Sequence, residues 1–302
     1  MATRTRCVLG GVLEFLLIAL LVYTLVFTAF AVLPVDPARS MLGSLASQDA
    51  VDELNKQYGF DRPIFERYAR TLFSFAKGDF GDSVYYGMPA SDIIVTAMPL
   101  TLARMFAAIL LGCTLGAVGM MSIATHRVRW GVFVFSATYS IPAFSLMVCV
   151  LLVTVRFAGV APSGNRLLFE ALTVLCASFY ALGATGVYLS KRLDLTNQRS
   201  RHADFLLLLR APARDAVKLL FRPALPGFLS VTANAATTVL TAVTFAEFVF
   251  DLPGFSVIFI RSCERGDMSV VALGSSILAV ILLMLQKMAG VFSRAADARL
   301  RR

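Results

Sequence analysis

The chain has 302 residues, 58% of them hydrophobic, and a formal net charge of +9. Soluble domains run at roughly 45–50% apolar, and here the excess is gathered into long runs, which excludes a water-soluble globule and points to a membrane protein. The five cysteines are irregularly spaced and odd in number, and His126 and His202 have no partner at ligand spacing, so neither a disulfide framework nor a metal site is expected.

A helix needs about 20 mostly apolar residues to cross a bilayer. Six stretches qualify, at about 8–33, 99–124, 131–156, 167–190, 225–250 and 270–292. The first follows Arg4 and Arg6 and contains Ala29-Phe30-Ala31, features of a cleavable leader. Its apolar run is longer than the roughly 7–15 residues of a leader's core, so it is read as a retained span and an N-terminal anchor, residues 1–33. Residues 34–98 form a small helical scoop. In "SQDAVDELNKQYGF", Ser47 is placed to cap a helix and Gly59 to stop it. Asp61-Arg62-Pro63 opens a second helix through about Phe75, "KGDFGDSVYYGMP" is dense in turn residues, and Ser91 and Asp92 begin the approach to the second span. Residues 99–302 form the core, with a long loop at 191–224 between the fourth and fifth spans. With the N-terminus inside, the inner segments carry sixteen Lys and Arg against four Asp, whereas 34–98 alone carries nine acids. The positive-inside rule therefore puts both termini in the cytoplasm and the scoop outside. This topology and anionic lipid account for the net charge without nucleic acid.

Ionisable residues within or at the edge of spans are functional candidates by default. Lys287 lies near the cytoplasmic end and is expected to snorkel. Arg104 and Glu170 lie about a turn from an interface and are expected to do the same, and Glu14 is within reach of headgroups. Glu247, in "TFAEFVFDLPGF" near the outer end of the fifth span, either lines a polar pathway or makes a structural hydrogen bond. Pro142 in "YSIPAF" removes a helix hydrogen bond within the third span and is expected to kink it, which can shape a cavity.

The sequence has no G-x-x-x-x-G-K-[ST] loop, no H-E-x-x-H and no G-x-S-x-G elbow. A membrane enzyme would need a polar catalytic set at one interface, and none is visible. A secondary transporter driven by an ion gradient would favour paired inverted repeats and acids near the midplane. No internal repeat stands out, and the acids cluster near the span ends.

The loop "LLLLRAPARDAVKLLFRPALPG" carries Arg210, Arg214, Lys218 and Arg222 at intervals of four, an inclined stripe that drifts by about 40° per step. Pro212 divides it into two short helices meeting near 210–213. Its apolar sides suit a headgroup layer or the groove of a partner, and the loop alone leaves both open.

Four stretches carry a family resemblance. "VLPVDPARSMLG" is similar to L-P-G-D-P. "QYGFDRPIFERYARTLFSFAKGDFGDSVYYGMPASDII" is similar to G-L-D-x-P followed by R-Y, G-D-x-G-x-S and G-x-P-V. "SIPAF" is similar to S-I-P-S-F, and "FAEFVFDLPGFSVIFIRSCERGDMSVV" to V-E-x-V-F-x-x-P-G-L-G with D-Y-P-V. Together they resemble, in order and over nearly the whole chain, the permease subunit of bacterial ABC importers of the oligopeptide/dipeptide/nickel class.

The resemblance implies an all-α membrane protein of the type I ABC importer permease fold, with six transmembrane helices, in the bacterial inner membrane. The loop would be a cytoplasmic coupling helix, with Arg210, Ala211, Pro212, Ala213 and Arg214 meeting a separate ATPase subunit. The scoop would dock an extracytoplasmic substrate-binding protein, with Asp36, Asp79 and Asp82 as candidate contacts. A second permease would complete the pathway, to which Glu247 and Pro142 are assigned. Two ATPase subunits would bind ATP and Mg, and this chain would carry no cofactor and no catalysis. The solute would be a peptide or peptide-like molecule, or alternatively nickel or a metal chelate. Two departures stand out: Leu207, Leu208, Leu209 and Ala213 fall where the family's coupling loop has E-A-A and, three residues on, Gly, and Val35 replaces the Gly of L-P-G-D-P.

Overall fold

The computed structural model describes residues 2–32, 37–43, 45–59, 61–83, 85–126, 130–199 and 213–296. Among these residues the secondary structure is helical, with one isolated bridge between Asp82 and Pro89. The helices are α1 (Ala2–Val32), α2 (Pro37–Leu42), α3 (Gln48–Tyr58), α4 (Ile64–Ala76), α5 (Ala90–His126), α6 (Trp130–Ser140), α7 (Ala143–Ala158), α8 (Arg166–Arg199), α9 (Ala213–Val249), α10 (Phe255–Glu264) and α11 (Met268–Ala296). Five contain an apolar stretch long enough to cross a bilayer: Leu13–Val32, Ala90–Met120, Arg166–Lys191, Ala224–Val249 and Met268–Val291. The pair Val132–Ser140 and Ala143–Ala158 makes a sixth if taken as one broken span. The chain is a multi-span membrane protein.

Three elements differ from expectation. The third span is broken rather than kinked: its halves meet at 87°. Pro142 has no N–H to continue α6 and adopts φ −62°, ψ 125°, and its carbonyl instead accepts from Ser145 at 3.1 Å and Leu146 at 3.2 Å to open α7. The second helix of the 191–224 loop is not separate. Helix α9 starts at Ala213 and runs through Pro223 and Pro226 into the fifth span. Each proline removes one ladder bond, which spanning helices tolerate when neighbours satisfy the freed carbonyls. Helix α8 has 34 residues, about 51 Å at 1.5 Å per residue, and so outruns a hydrocarbon layer of about 30 Å.

The chain divides into two compact units. The first comprises Met1–Pro99 and Gly254–Leu283. Its scoop folds as its caps dictate. Ser47 is extended and accepts the Ala50 N–H at 3.4 Å, and Gly59 closes α3 at φ 69°. Helix α4 lays Tyr68, Leu72 and Phe75 against Tyr23 and Phe27 of α1, and Tyr23 is 1% exposed. The Tyr68 and Thr24 hydroxyls share a hydrogen bond at 2.9 Å, the polar contact in this aromatic seam.

The second unit comprises Leu100–Pro253 and Met284–Arg302. Helix α8 is its axis, packed by α5, α6, α7 and α9. Lipid supplies little drive for helices to associate, so close packing of small residues does that work. A Cβ on Gly116 of α5 would lie 2.7 Å from the Leu182 carbonyl, and one on Gly183 of α8 would lie 2.6 Å from the Tyr139 nitrogen of α6. Both are backbone contacts that could not yield without separating the helices. Met120, Phe135, Leu189 and Ala224 form a buried apolar cluster here, and the Tyr188 hydroxyl donates to the Ala224 carbonyl at 2.9 Å.

Candidate functional site

The chemically distinctive group of the second unit is an ionic cluster inside the span bundle. Thr101 and Arg104 are three residues apart on α5 and so share a face. Glu170 lies in the second turn of α8, and Glu247 in the last turn of α9. The Arg104 guanidinium donates from Nε to Glu170 Oε2 and from Nη2 to Glu170 Oε1, both at 2.6 Å. From Nη1 it donates to Glu247 Oε1 at 2.5 Å and to the Pro253 carbonyl at 2.8 Å. The Thr101 hydroxyl lies 2.8 and 2.9 Å from the two Glu247 oxygens. The Arg104 side chain is 6% exposed, that of Glu247 is 0% and that of Glu170 is 28%.

Arg104 and Glu170 therefore do not snorkel, contrary to expectation. The planar fork of arginine matches a carboxylate bidentately and leaves further N–H groups for a second acceptor. In a low-dielectric bundle an inward pair with complete hydrogen bonding is preferred to an isolated charge in hydrocarbon. Arg104 alone faces two carboxylates, and exposed Arg166, 4.0 Å from Glu170, brings the local sum of charge to zero.

The Pro253 carbonyl reaches Arg104 because α9 ends in a tight cap. The Asp251 N–H donates to Phe248 O at 3.3 Å and the Leu252 N–H to Glu247 O at 2.9 Å, with Asp251 at φ 49°. This is the paired-bond pattern of a Schellman cap, with Asp where Gly is usual. The T-shaped pair Phe169–Phe250, with centroids 5.1 Å apart, packs the same end of α8 and α9. Glu247 was open between pathway lining and a structural bond; it is fully buried and joins α9 to α5.

In the first unit, two of the stretches that carry the family resemblance meet. The Ser83 hydroxyl donates to Asp267 Oδ2, and Ser83 Oγ accepts the Tyr86 N–H at 2.9 Å. The Arg265 guanidinium lies 3.9 Å from the Tyr85 ring centroid. Asp267 is 0% exposed and accepts from the Tyr85 and Val270 N–H groups at 3.5 Å. Ser83 and Asp267 are thus a fastening of the 77–89 loop that sequence reasoning missed, although both lie in quoted motifs. Of the docking candidates, Asp79 is exposed and accepts the Gly81 N–H at 3.1 Å, and Asp82 is exposed beside its bridge to Pro89. Pro142 is exposed at the α6–α7 break. Asp36, Arg210, Ala211 and Pro212 lie outside the described residues. Ala213 and Arg214 begin α9, without a description of their side chains. Glu247 and Pro142 belong to the second unit, Asp79 and Asp82 to the first.

Comparison with known proteins adds a family. The profile described as "Binding-prot-dependent transport system membrane comp, N-term" matches residues 4–104. The dipeptide transport system permease protein of Lactococcus lactis is 23% identical over 298 residues, 94% of this chain and 96% of its own length. A protein of Escherichia coli named "Probable D,D-dipeptide transport system permease protein" is 32% identical over 151 residues, 48% of this chain and 44% of its own. The oligopeptide transport system permease protein of Salmonella typhimurium is 24% identical over 264 residues, 82% of this chain and 85% of its own. The chain is similar to permeases of binding-protein-dependent transport systems along most of its length. The matched profile covers α1, the 34–98 segment and the start of α5 as far as Arg104.

Proposed function

We propose that this chain is one transmembrane half of an ATP-driven, binding-protein-dependent importer of peptides or peptide-like solutes. The observation that carries the reading is the collinear match to a dipeptide permease over 94% of the chain. Apolar spans and a broken helix would by themselves suit many transporters. The peptide names of the relatives favour peptide over nickel.

In this reading the spans adopt the type I importer permease fold, both termini are cytoplasmic, and the chain itself performs no catalysis. A second permease completes the pathway. Two ATPase subunits bind ATP and Mg and engage the 191–224 loop through Arg210, Ala211, Pro212, Ala213 and Arg214. A substrate-binding protein docks on the 34–98 scoop, with Asp36, Asp79 and Asp82 as its candidate contacts. Transport is a two-state equilibrium between inward-open and outward-open forms, biased by partner contacts. A force delivered at the start of α9 must be carried to the far end of the spans. The Arg104 cluster ties α5, α8 and α9 there, so these helices move as one piece. Glu247 then serves transport by holding the wall helices in register, and the Pro142 break gives that wall a hinge.

The test is affinity purification of this chain from its own membrane in mild detergent, with mass spectrometry of stoichiometric partners. A second permease and two copies of an ATPase, or one each of two, are expected. Recovery of the chain alone or as a homo-oligomer would remove the importer reading.

A further inference from the structure

The break between α6 and α7 lies at membrane depth. Tyr139, in the last turn of α6, stands beside Tyr180 of α8 with ring centroids 5.0 Å apart. Tyr180 is 14 residues from Arg166 and 11 from Lys191, the ends of the apolar stretch of α8. That is about 21 Å and about 16 Å of helix. Past the break, Phe144 meets Phe245 of α9 at 5.9 Å between centroids, inside the span Ala224–Val249. Residues 130–155 carry no charged side chain.

The break leaves polar groups bare at that depth. Pro142 has no N–H for the Thr138 carbonyl, and the Ser145 N–H turns to the Pro142 carbonyl rather than to that of Ile141. Among the described residues, nothing donates to the carbonyls of Thr138, Tyr139, Ser140 and Ile141. Tyr139 is 45% exposed and Ile141 44%, and Ser140 and Pro142 are exposed as well. The Tyr139 and Tyr180 oxygens are 3.4 Å apart. A well-formed O–H···O bond is about 2.7–2.8 Å long, so the pair has capacity for a third polar group. Lipid satisfies none of these groups. Non-helical backbone at membrane depth is stable only where protein covers it or water reaches it, and this chain leaves the surface open.

The inventory of groups points to a ligand. The end of α6 offers carbonyl acceptors and the partial negative charge of a helix C-terminus, which favours a cation. The first amides of α7 aim along an axis turned by 87° from α6. The phenols add aromatic faces and hydroxyls that both donate and accept. With no charged side chain present, the surface suits main-chain groups rather than one particular side chain. A peptide's amino-terminal ammonium, like that of lysine, is all donor.

We propose that the α6–α7 break and the Tyr139–Tyr180 pair line the aqueous pathway and form a subsite for the main chain of a passing peptide. Its amino-terminal ammonium rests on the free carbonyls of residues 138–141, and its amide groups meet the two phenol hydroxyls. The identity of the solute rests on the importer reading; the aqueous exposure of the break does not.

The test uses the full chain with its partners in permeabilised native membranes. Cys7, Cys113, Cys149, Cys176 and Cys263 are replaced by Ala, and Ser140→Cys supplies one thiol. A charged methanethiosulfonate reagent is excluded from lipid, so it should label this thiol at least about tenfold faster than Leu152→Cys, whose site is 62% exposed among apolar neighbours. Dialanine should slow the labelling. N-acetyl-dialanine, which lacks the ammonium, should need about a tenfold higher concentration for the same effect. Tyr139→Phe keeps the ring and should raise the half-protecting dialanine concentration about fivefold, the effect of losing one neutral hydrogen bond. Labelling of Ser140→Cys no faster than that of Leu152→Cys would mean that a partner or lipid covers the break, and would overturn the proposal. So would labelling that dialanine does not slow, that N-acetyl-dialanine slows equally, or that sodium chloride slows as well, and so would an unchanged half-protecting concentration in Tyr139→Phe. If a second permease and an ATPase still co-purify with the chain, such a failure removes the subsite and leaves the importer reading standing.

Discussion

Replacing Arg104 with Met removes the cation that bridges Glu170 and Glu247. Glu170 is 28% exposed and keeps Arg166 within 4.0 Å, so it can be hydrated. Glu247 is 0% exposed and keeps the Thr101 hydroxyl. Removing one partner of a buried ion pair destabilises by about 3–5 kcal/mol, because the remaining charge is uncompensated. With about 2.1 cal/mol/K of unfolding entropy per residue over the whole chain, that corresponds to a fall of roughly 5–8 °C in the thermal midpoint. The second substitution separates charge from packing. In Arg104→Met/Glu247→Leu no buried charge is left unpaired, and apolar replacement of a buried pair is close to neutral or better. The double variant should therefore recover most of the loss. The assay is thermal unfolding of the purified chain in detergent, followed through the exposure of buried cysteines to a thiol-reactive dye. A wild-type midpoint for Arg104→Met, or a double variant no more stable than the single one, would refute the reasoning.

Gly183→Ala should lower the same midpoint by about 1–3 kcal/mol equivalent, since its Cβ would meet the Tyr139 backbone nitrogen at 2.6 Å. Gly164→Ala, with its nearest neighbour at 3.5 Å, should lie within about 0.5 kcal/mol of wild type. Asp267→Ala should free the 77–89 loop: limited proteolysis at 77–89 should speed up at least about tenfold, because the lost hydrogen bonds to a buried carboxylate contribute about 1.5–3 kcal/mol, and unchanged cleavage would remove the fastening. Arg210→Glu with Arg214→Glu should abolish co-purification of the ATPase while leaving membrane insertion intact, and undiminished co-purification would remove the coupling role of the loop.

The parts of the fold legible in sequence were those written in local patterns. Hydropathy marks the spans because each must fill about 30 Å of lipid by itself. Ser47 and Gly59 mark α3 because capping is settled within a few residues. The ionic cluster was not legible. Arg104 is 66 residues from Glu170 and 143 from Glu247, and no periodicity links them. Arg104 and Glu170, each taken alone near a span end, read as snorkelling charges, and Glu247 as a pathway or structural group. The same holds for Ser83 and Asp267, which are 184 residues apart. Pro142 announces an interruption, but whether a proline kinks or breaks a helix depends on what neighbouring helices offer. Pro223 and Pro226, by contrast, stand inside a continuous helix. The coupling residues Arg210, Ala211 and Pro212 rest on resemblance alone.

The central claim, that this chain is half the pathway of an ATP-driven peptide importer, is tested most directly by transport. The complex purified through this chain is reconstituted into liposomes with its binding protein outside, labelled peptide outside and ATP sealed within. Accumulation of peptide that requires both ATP and the binding protein is the predicted result. Uptake that follows an imposed ion gradient and ignores ATP would contradict the account.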